Sequence, residues 1–187
     1  ARWSAEPGRA QPAGEMCEGI RPHPITTRKF ITEIMLPNVE FGAKKAGRPL
    51  KNFDVAISPL VAAADNETEL ADRIRDIRAR IAFYASTRTY KSVFDAHGWG
   101  GLVDELHGLS TQQRWEEMPK YVTDEVLETI AVVGTYDDVA QKIKKRYGDF
   151  ATRVEFSLPV RSPADHNRVR AVIRELHEGR DRRTSSA

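Results

Sequence analysis

Cysteine is almost missing from this sequence. Cys17 stands alone among 187 residues, so no intrachain disulfide can form. A single thiol without a secretory signal fits a reducing cytoplasm, the expected compartment. Long hydrophobic runs are missing too. The longest, such as Ile130 to Val133, fall far short of the ~20 apolar residues a membrane helix needs, so no membrane partner is expected. No charged-then-apolar leader opens the chain, and its first residue is Ala rather than Met. A processed chain, or one cut from something longer, is therefore expected. One-sided charge is also lacking: 29 basic residues face 27 acidic ones, for a net charge of +2. Nucleic-acid binding calls for a clustered basic excess. Only Arg180 to Arg183 comes near one, and it reads as a polar tail, so no nucleic-acid partner is expected.

Several catalytic signatures are missing as well. No Walker loop, GxGxxG or GxSxG pattern occurs. His97 and His107 lie ten apart across three glycines with no third ligand at a suitable spacing, so no metal site is expected. The pairs Glu116-Glu117, Asp124-Glu125 and Asp137-Asp138 are sequence neighbours. Adjacent residues do not share a helix face, so these read as solvated or capping charges rather than an acid/base pair. No catalytic residue can be assigned.

What is present is enough for one domain with a real core: 40% of the residues are hydrophobic. Residues 1–12 carry Pro7, Gly8 and Pro12 without an apolar period and read as a disordered lead-in. Gly19 to Pro24 gives a short strand-like piece. Residues 28–46 read as a helix that Pro37 must kink or restart. Gly47 stands where a left-handed cap belongs. Phe53, Val55, Ile57 and Val61 alternate as a strand, with Pro59 at its end or at a bulge. Asn66 and Glu69 have capping-box spacing, and Leu70, Ile74, Ile77 and Ile81 follow on one helix face.

Residues 84–123 form a helical excursion around the turn His97-Gly98-Trp99-Gly100-Gly101. Long excursions of this kind serve as lids or binding loops. A piece from Glu125 to Val133 ends at Gly134. Thr135 is expected to cap the next helix, with Val139, Ile143 and Tyr147 on its buried face. Val154, Phe156 and Leu158 alternate as a last strand. A final helix runs from about Pro163 to His177, with Val169, Val172, Ile173 and Leu176 on one side. The domain is thus placed at residues 13–177, with a disordered polar tail at 178–187. Strands alternating with helices make an α/β fold of parallel units. About three strands are too few to close a barrel of eight.

Several segments together resemble the luciferase-like family of barrel oxidoreductases, in particular its deazaflavin-dependent branch. They are AGEMCEGIRPHP, FITEIMLPNVEFGAKKAGR, IAFYASTRTYKSVFDAHGWGGLVDEL, VVGTYDDVAQKIKKRYG and RVEFSLP, in this order, over about residues 13–160. The resemblance implies a partial (β/α)8 TIM barrel: the C-terminal half, with about three parallel strands and a helical insertion. Two departures stand out. Cys17 and Glu18 replace the family's usual small and Asp residues. The lead-in SAEPGRAQP lacks the strand and the Gly-Pro-Lys/Arg phosphate loop that precede AGE in the family, and the first strands are absent.

In such proteins the cofactor sits at the carboxyl ends of the strands. His23 then faces the cofactor, and its imidazole can donate to a carbonyl or phosphate; the alternative is a turn residue fixed by Pro22 and Pro24. Ser58 can bond a cofactor or substrate oxygen, or only a backbone group at a bulge. Tyr84, His97 and Trp99 form the substrate pocket or lid, or else pack in the core. The implied cofactor is the deazaflavin coenzyme F-420, with flavin mononucleotide (FMN) as the alternative. The implied activity is hydride transfer or monooxygenation of a small-molecule substrate, with the isolated chain inactive and the missing N-terminal half as a partner. The rival reading is a non-catalytic half-barrel that forms a homo-oligomer or docks other chains through its open strand edges.

Overall fold

The computed structural model describes residues 7–160 and 162–178, with side chains from Ala10 onward. The expected lead-in at residues 1–6 and tail at 179–187 lie outside the described residues. Among the described residues, no helix is long and apolar enough to cross a membrane.

Where the sequence led us to expect a disordered stretch through residue 12, helix α1 (Pro7–Met16) forms. Pro7 opens it, where a missing N–H is harmless. The cause of its order lies in α3 (Leu36–Lys45). A Cβ on Gly14 would stand 1.9 Å from the Val39 carbonyl oxygen, and one on Gly42 2.1 Å from that of Gln11. The two backbones therefore touch. Ala10 and Ala13 are buried in the contact.

After β1 (Gly19–Ile20), the chain forms α2 (Arg28–Phe30), a π-helical turn (Ile31–Met35) and α3 as one continuous helix. The π turn is how the helix absorbs Pro37, which has no N–H to give its own preceding turn. The Leu36 N–H bonds the Ile31 carbonyl, and the Asn38 side chain donates to the Ile34 carbonyl at 2.8 Å. At the far end Gly47 adopts φ +65°. Arg48 N–H bonds Ala43 O at 2.9 Å and Gly47 N–H bonds Lys44 O at 3.1 Å, the pairing that closes a helix through a left-handed residue.

The expected strand around Pro59 is two strands, β2 (Asp54–Ile57) and β3 (Leu60–Ala64), because the break at Ser58-Pro59 sends them to different partners. β2 is central in a parallel sheet of order β1-β2-β5, where β5 is Arg153–Val154. Gly19 pairs with Asp54, whereas Arg153 pairs with Ala56. This two-residue stagger along β2 is the offset that a closing barrel needs. β3 pairs in parallel with β4 (Ala131–Thr135). The piece from Glu125 to Val133 divides into α7 (Asp124–Ile130) and β4. Thr135, expected to cap the next helix, does not. It ends β4, and α8 (Val139–Tyr147) has Asp138 at its N-cap position.

Helix α4 (Glu67–Ala85) follows the pattern of its sequence, with Asn66 Oδ1 accepting from Glu69 N–H at 2.9 Å. The excursion contains α5 (Lys91–Asp95), α6 (Gly100–Thr111) and two 3-10 turns. Phe94, Val103, Leu106 and Met118 bury an apolar centre for it. The last strand is shorter than the alternation of Val154, Phe156 and Leu158 implies. One further bond, Glu155 N–H to Ile57 O at 2.9 Å, extends its pairing. Helix α9 (Pro163–Glu178) packs on α8 and takes in Glu178, which was expected in the tail. Val172 is buried, but Ile173, expected on the same buried side, is 43% exposed because it faces an open cavity beside β5.

Candidate functional site

The loop leaving β1 carries Arg21, Pro22, His23 and Pro24, and the Ser58-Pro59 break leaves β2 beside it. His23, Ser58, Thr26, Pro22, Pro24 and Pro59 line one cleft at the carboxyl ends of these two strands. The ring of His23 packs against two tyrosines that also touch each other, with centroids 5.8 Å apart. Its centroid is 4.6 Å from Tyr84, edge to face, and 4.5 Å from Tyr90. Burial among these groups pushes the His23 pKa down to about 4, so the ring is neutral at pH 7. Its Nδ1 accepts the Ile25 N–H at 3.3 Å. A neutral imidazole has one donor and one acceptor nitrogen, so the proton resides on Nε2. The strand end thus carries an uncharged imidazole packed against aromatic rings.

A second group comes from the excursion. His97 Nε2 lies 2.8 Å from Thr27 Oγ1, and the same oxygen accepts Phe30 N–H at 3.2 Å. Trp99 stacks on the His97 ring at 4.5 Å and 16°. Lys29 Nζ donates to the Ala96 carbonyl at 2.8 Å. The His97-Gly98-Trp99 turn is therefore pinned to the start of α2, on the carboxyl side of β1. Burial, followed by the charge of Lys29, lowers the pKa of His97. Trp99 is partly buried against the core.

His23, Ser58 and Tyr84 are thus brought together, and His97 with Trp99 meets them through the Thr26-Thr27 segment. Three members of the site were not anticipated. Tyr90 shares His23 with Tyr84. Thr27 holds both the helix start and His97. Arg21 forms a two-pronged ion pair with Glu155, tying the carboxyl ends of β1 and β5 across β2. Arg21 follows its strand directly, which was the one available signal. Glu155, 134 residues away, gave none.

The acidic pairs have other occupations: Glu117 bonds Arg114, Asp124 bonds Arg78 and Asp138 bonds Lys142. Among the described residues, no group of three His, Cys, Asp or Glu side chains could hold a metal ion.

The cleft itself has room for only about one water molecule, about 10 Å³. Small-molecule sites run to hundreds of Å³, so a tricyclic ring cannot enter it whole, although one polar edge can. A much larger cavity of about 540 Å³ lies beside β5, between α8 and α9, lined by Ile143, Val154, Phe156, Ile173 and Leu176 among others. None of the five expected site residues borders it.

The family model for luciferase-like monooxygenase matches residues 4–153. An uncharacterized protein of Mycobacterium tuberculosis is 35% identical over 163 residues, covering 87% of this chain and 47% of the relative. The 5,10-methylenetetrahydromethanopterin reductase of Archaeoglobus fulgidus is 23% identical over 176 residues, covering 91% of this chain and 51% of the relative. The structure of the coenzyme F-420 dependent tetrahydromethanopterin reductase of Methanopyrus kandleri superposes with a TM-score of 0.66. It shares 23% identity and covers 81% of this chain and 42% of its own. That likeness shows the fold, a portion of a barrel of this kind. The chain spans about half the length of the curated relatives it matches.

Proposed function

Because the chain belongs to the luciferase-like monooxygenase family, we propose that it carries one wall of a flavin-type cofactor site in an oxidoreductase. The coenzyme is the deazaflavin F-420, with FMN as the alternative. When bound, it supplies hydride transfer to or from a small organic substrate or, as a reduced flavin, activation of oxygen. The observation that carries this reading is the cleft at the carboxyl ends of β1 and β2, lined by the neutral His23 beside Tyr84 and Tyr90. His23 would border the polar edge of the ring system, and the tyrosines keep the imidazole uncharged by excluding water from it. Ser58 lines the same cleft and offers a second polar contact. The stacked His97 and Trp99 close the site from the excursion side.

The preference for the deazaflavin draws support from the name of the Methanopyrus kandleri reductase, which is coenzyme F-420 dependent. The test is an ultraviolet–visible titration of the full-length protein with both cofactors. Tighter binding of coenzyme F-420 is the expected result, and tighter binding of FMN reverses the choice.

The open cavity beside β5 favours one second reading, a half-barrel that serves as a docking module without catalysis. Light scattering separates the two. A monomer that binds deazaflavin removes the docking module, and an oligomer blind to both cofactors supports it.

A further inference from the structure

Thr26 and Thr27 are consecutive, yet only one of their hydroxyls is in use. Thr27 Oγ1 caps α2 and meets His97. The Thr26 side chain is 5% exposed, and its Oγ1 has no hydrogen-bond partner. Its backbone N–H is satisfied by His23 O at 2.8 Å, so the loop could hold its shape with an apolar residue here. A buried hydroxyl left unpaired costs stability, and such groups call for an explanation.

Thr26 lines the cleft that also holds His23 and Ser58. That cleft accepts about one water-sized group at about 10 Å³. No Lys or Arg lines it; its other walls are prolines, isoleucines and Tyr147. A phosphate would bury its charge there without a counterion, which is unfavourable. The complement of an unpaired hydroxyl in a cleft without a cationic side chain is a neutral acceptor.

We propose that Thr26 is a cofactor-positioning residue, whose hydroxyl donates to a carbonyl oxygen on the edge of the bound ring system. The inference rests on the reading of His23 and Ser58 as cofactor contacts. It adds the residue, the donor atom and the part of the ligand that enters the cleft: the carbonyl edge of the ring rather than its anionic tail.

The experiment compares Thr26→Val and Thr26→Ser in the full chain. Thermal unfolding is measured without ligand. Protein-observed nuclear magnetic resonance titrations with FMN and with the deazaflavin read affinities even in the millimolar range. Thr26→Val is isosteric and leaves no polar atom unpaired. It should unfold at or above the wild-type temperature and bind the ring about tenfold more weakly, the loss of about 1.4 kcal/mol. Thr26→Ser should keep wild-type affinity within about threefold, less than half a unit on the same logarithmic scale. A lower unfolding temperature for Thr26→Val, or failure to fold, means that the hydroxyl already has a partner such as a trapped water, and overturns the proposal. Unchanged affinity in Thr26→Val overturns it while leaving the cofactor site standing. If the wild-type chain binds neither cofactor, the cofactor reading and this one fall together.

Discussion

A single imidazole shows how much of the site depends on solvent exclusion. Burial holds the pKa of His23 at about 4, well below the ~6.5 of an unfolded chain. Between these values the unfolded state binds the proton and the folded state does not, so stability rises with pH across this window. It is fully present above about pH 6.5 and drains away as the pH falls toward 4. His97, also lowered by burial, contributes in the same direction. The prediction is that His23→Asn flattens the pH dependence of the unfolding free energy between pH 4 and 6.5. The wild-type His23 ring signals should also show no protonation at pH 6. Titration of His23 near pH 6.5 would mean that its ring is open to water and that its packing against Tyr84 and Tyr90 does not exist in solution. The sequence placed His23 at a strand end from its Pro-His-Pro setting. It could not supply Tyr90, because a ring contact across 67 positions leaves no local pattern.

At the level of elements, legibility followed periodicity. Helix α4 announces itself by a cap and an apolar stripe, and both are as read. Helix α1 has no stripe, because its contact with α3 is made by glycine and alanine. Small residues that let backbones touch do not register as hydrophobic spacing. The same contact yields a prediction. Gly14→Ala and Gly42→Ala each place a methyl group about 2 Å from a backbone carbonyl of the other helix. Overpacking of this kind costs about 1–3 kcal/mol, although Ala is the better helix former. Chemical denaturation should show both variants destabilised, and a stabilised variant would mean that the helices do not touch.

Strand β4 went unassigned for another reason. A short apolar run such as Ile130 to Val133 fits a strand and a helix end equally well, and its partner β3 lies some seventy residues earlier. Helix α8 was read at its core. Val139 and Ile143 are buried, with Ile143 bordering the same cavity as Val154 and Phe156. Ile143→Ala should cost about 2–5 kcal/mol; a cost below half a unit would put this residue at the surface.

For the whole molecule the decisive feature is an arc that does not close. Among the described residues, three parallel strands of order β1-β2-β5 and a separate parallel pair β3-β4 fall short of a closed barrel of eight. The chain spans 47% of its mycobacterial relative. A cavity of about 540 Å³ lies beside β5, the outer strand of the arc, under α8 and α9. The cleft at His23 has room for one polar group and no ring, so on the proposed reading most contacts to a cofactor come from elsewhere. Each loss of about 1.4 kcal/mol weakens affinity tenfold, and an open pocket admits water that screens what remains. The prediction is that these 187 residues alone show no appreciable turnover with coenzyme F-420 or FMN. Mixing them with a separately made N-terminal half should restore tight cofactor binding and shift the light-scattering mass to that of the pair. A control with the β5 edge blocked, by Val154→Pro, should prevent that recovery, because a strand interrupted by proline pairs poorly. Turnover by the isolated chain at rates ordinary for an enzyme would overturn this view of the molecule. It would require a complete site elsewhere, and among the described residues the cavity bounded by Lys144, Arg153, Phe156 and His177 would then be the place to look.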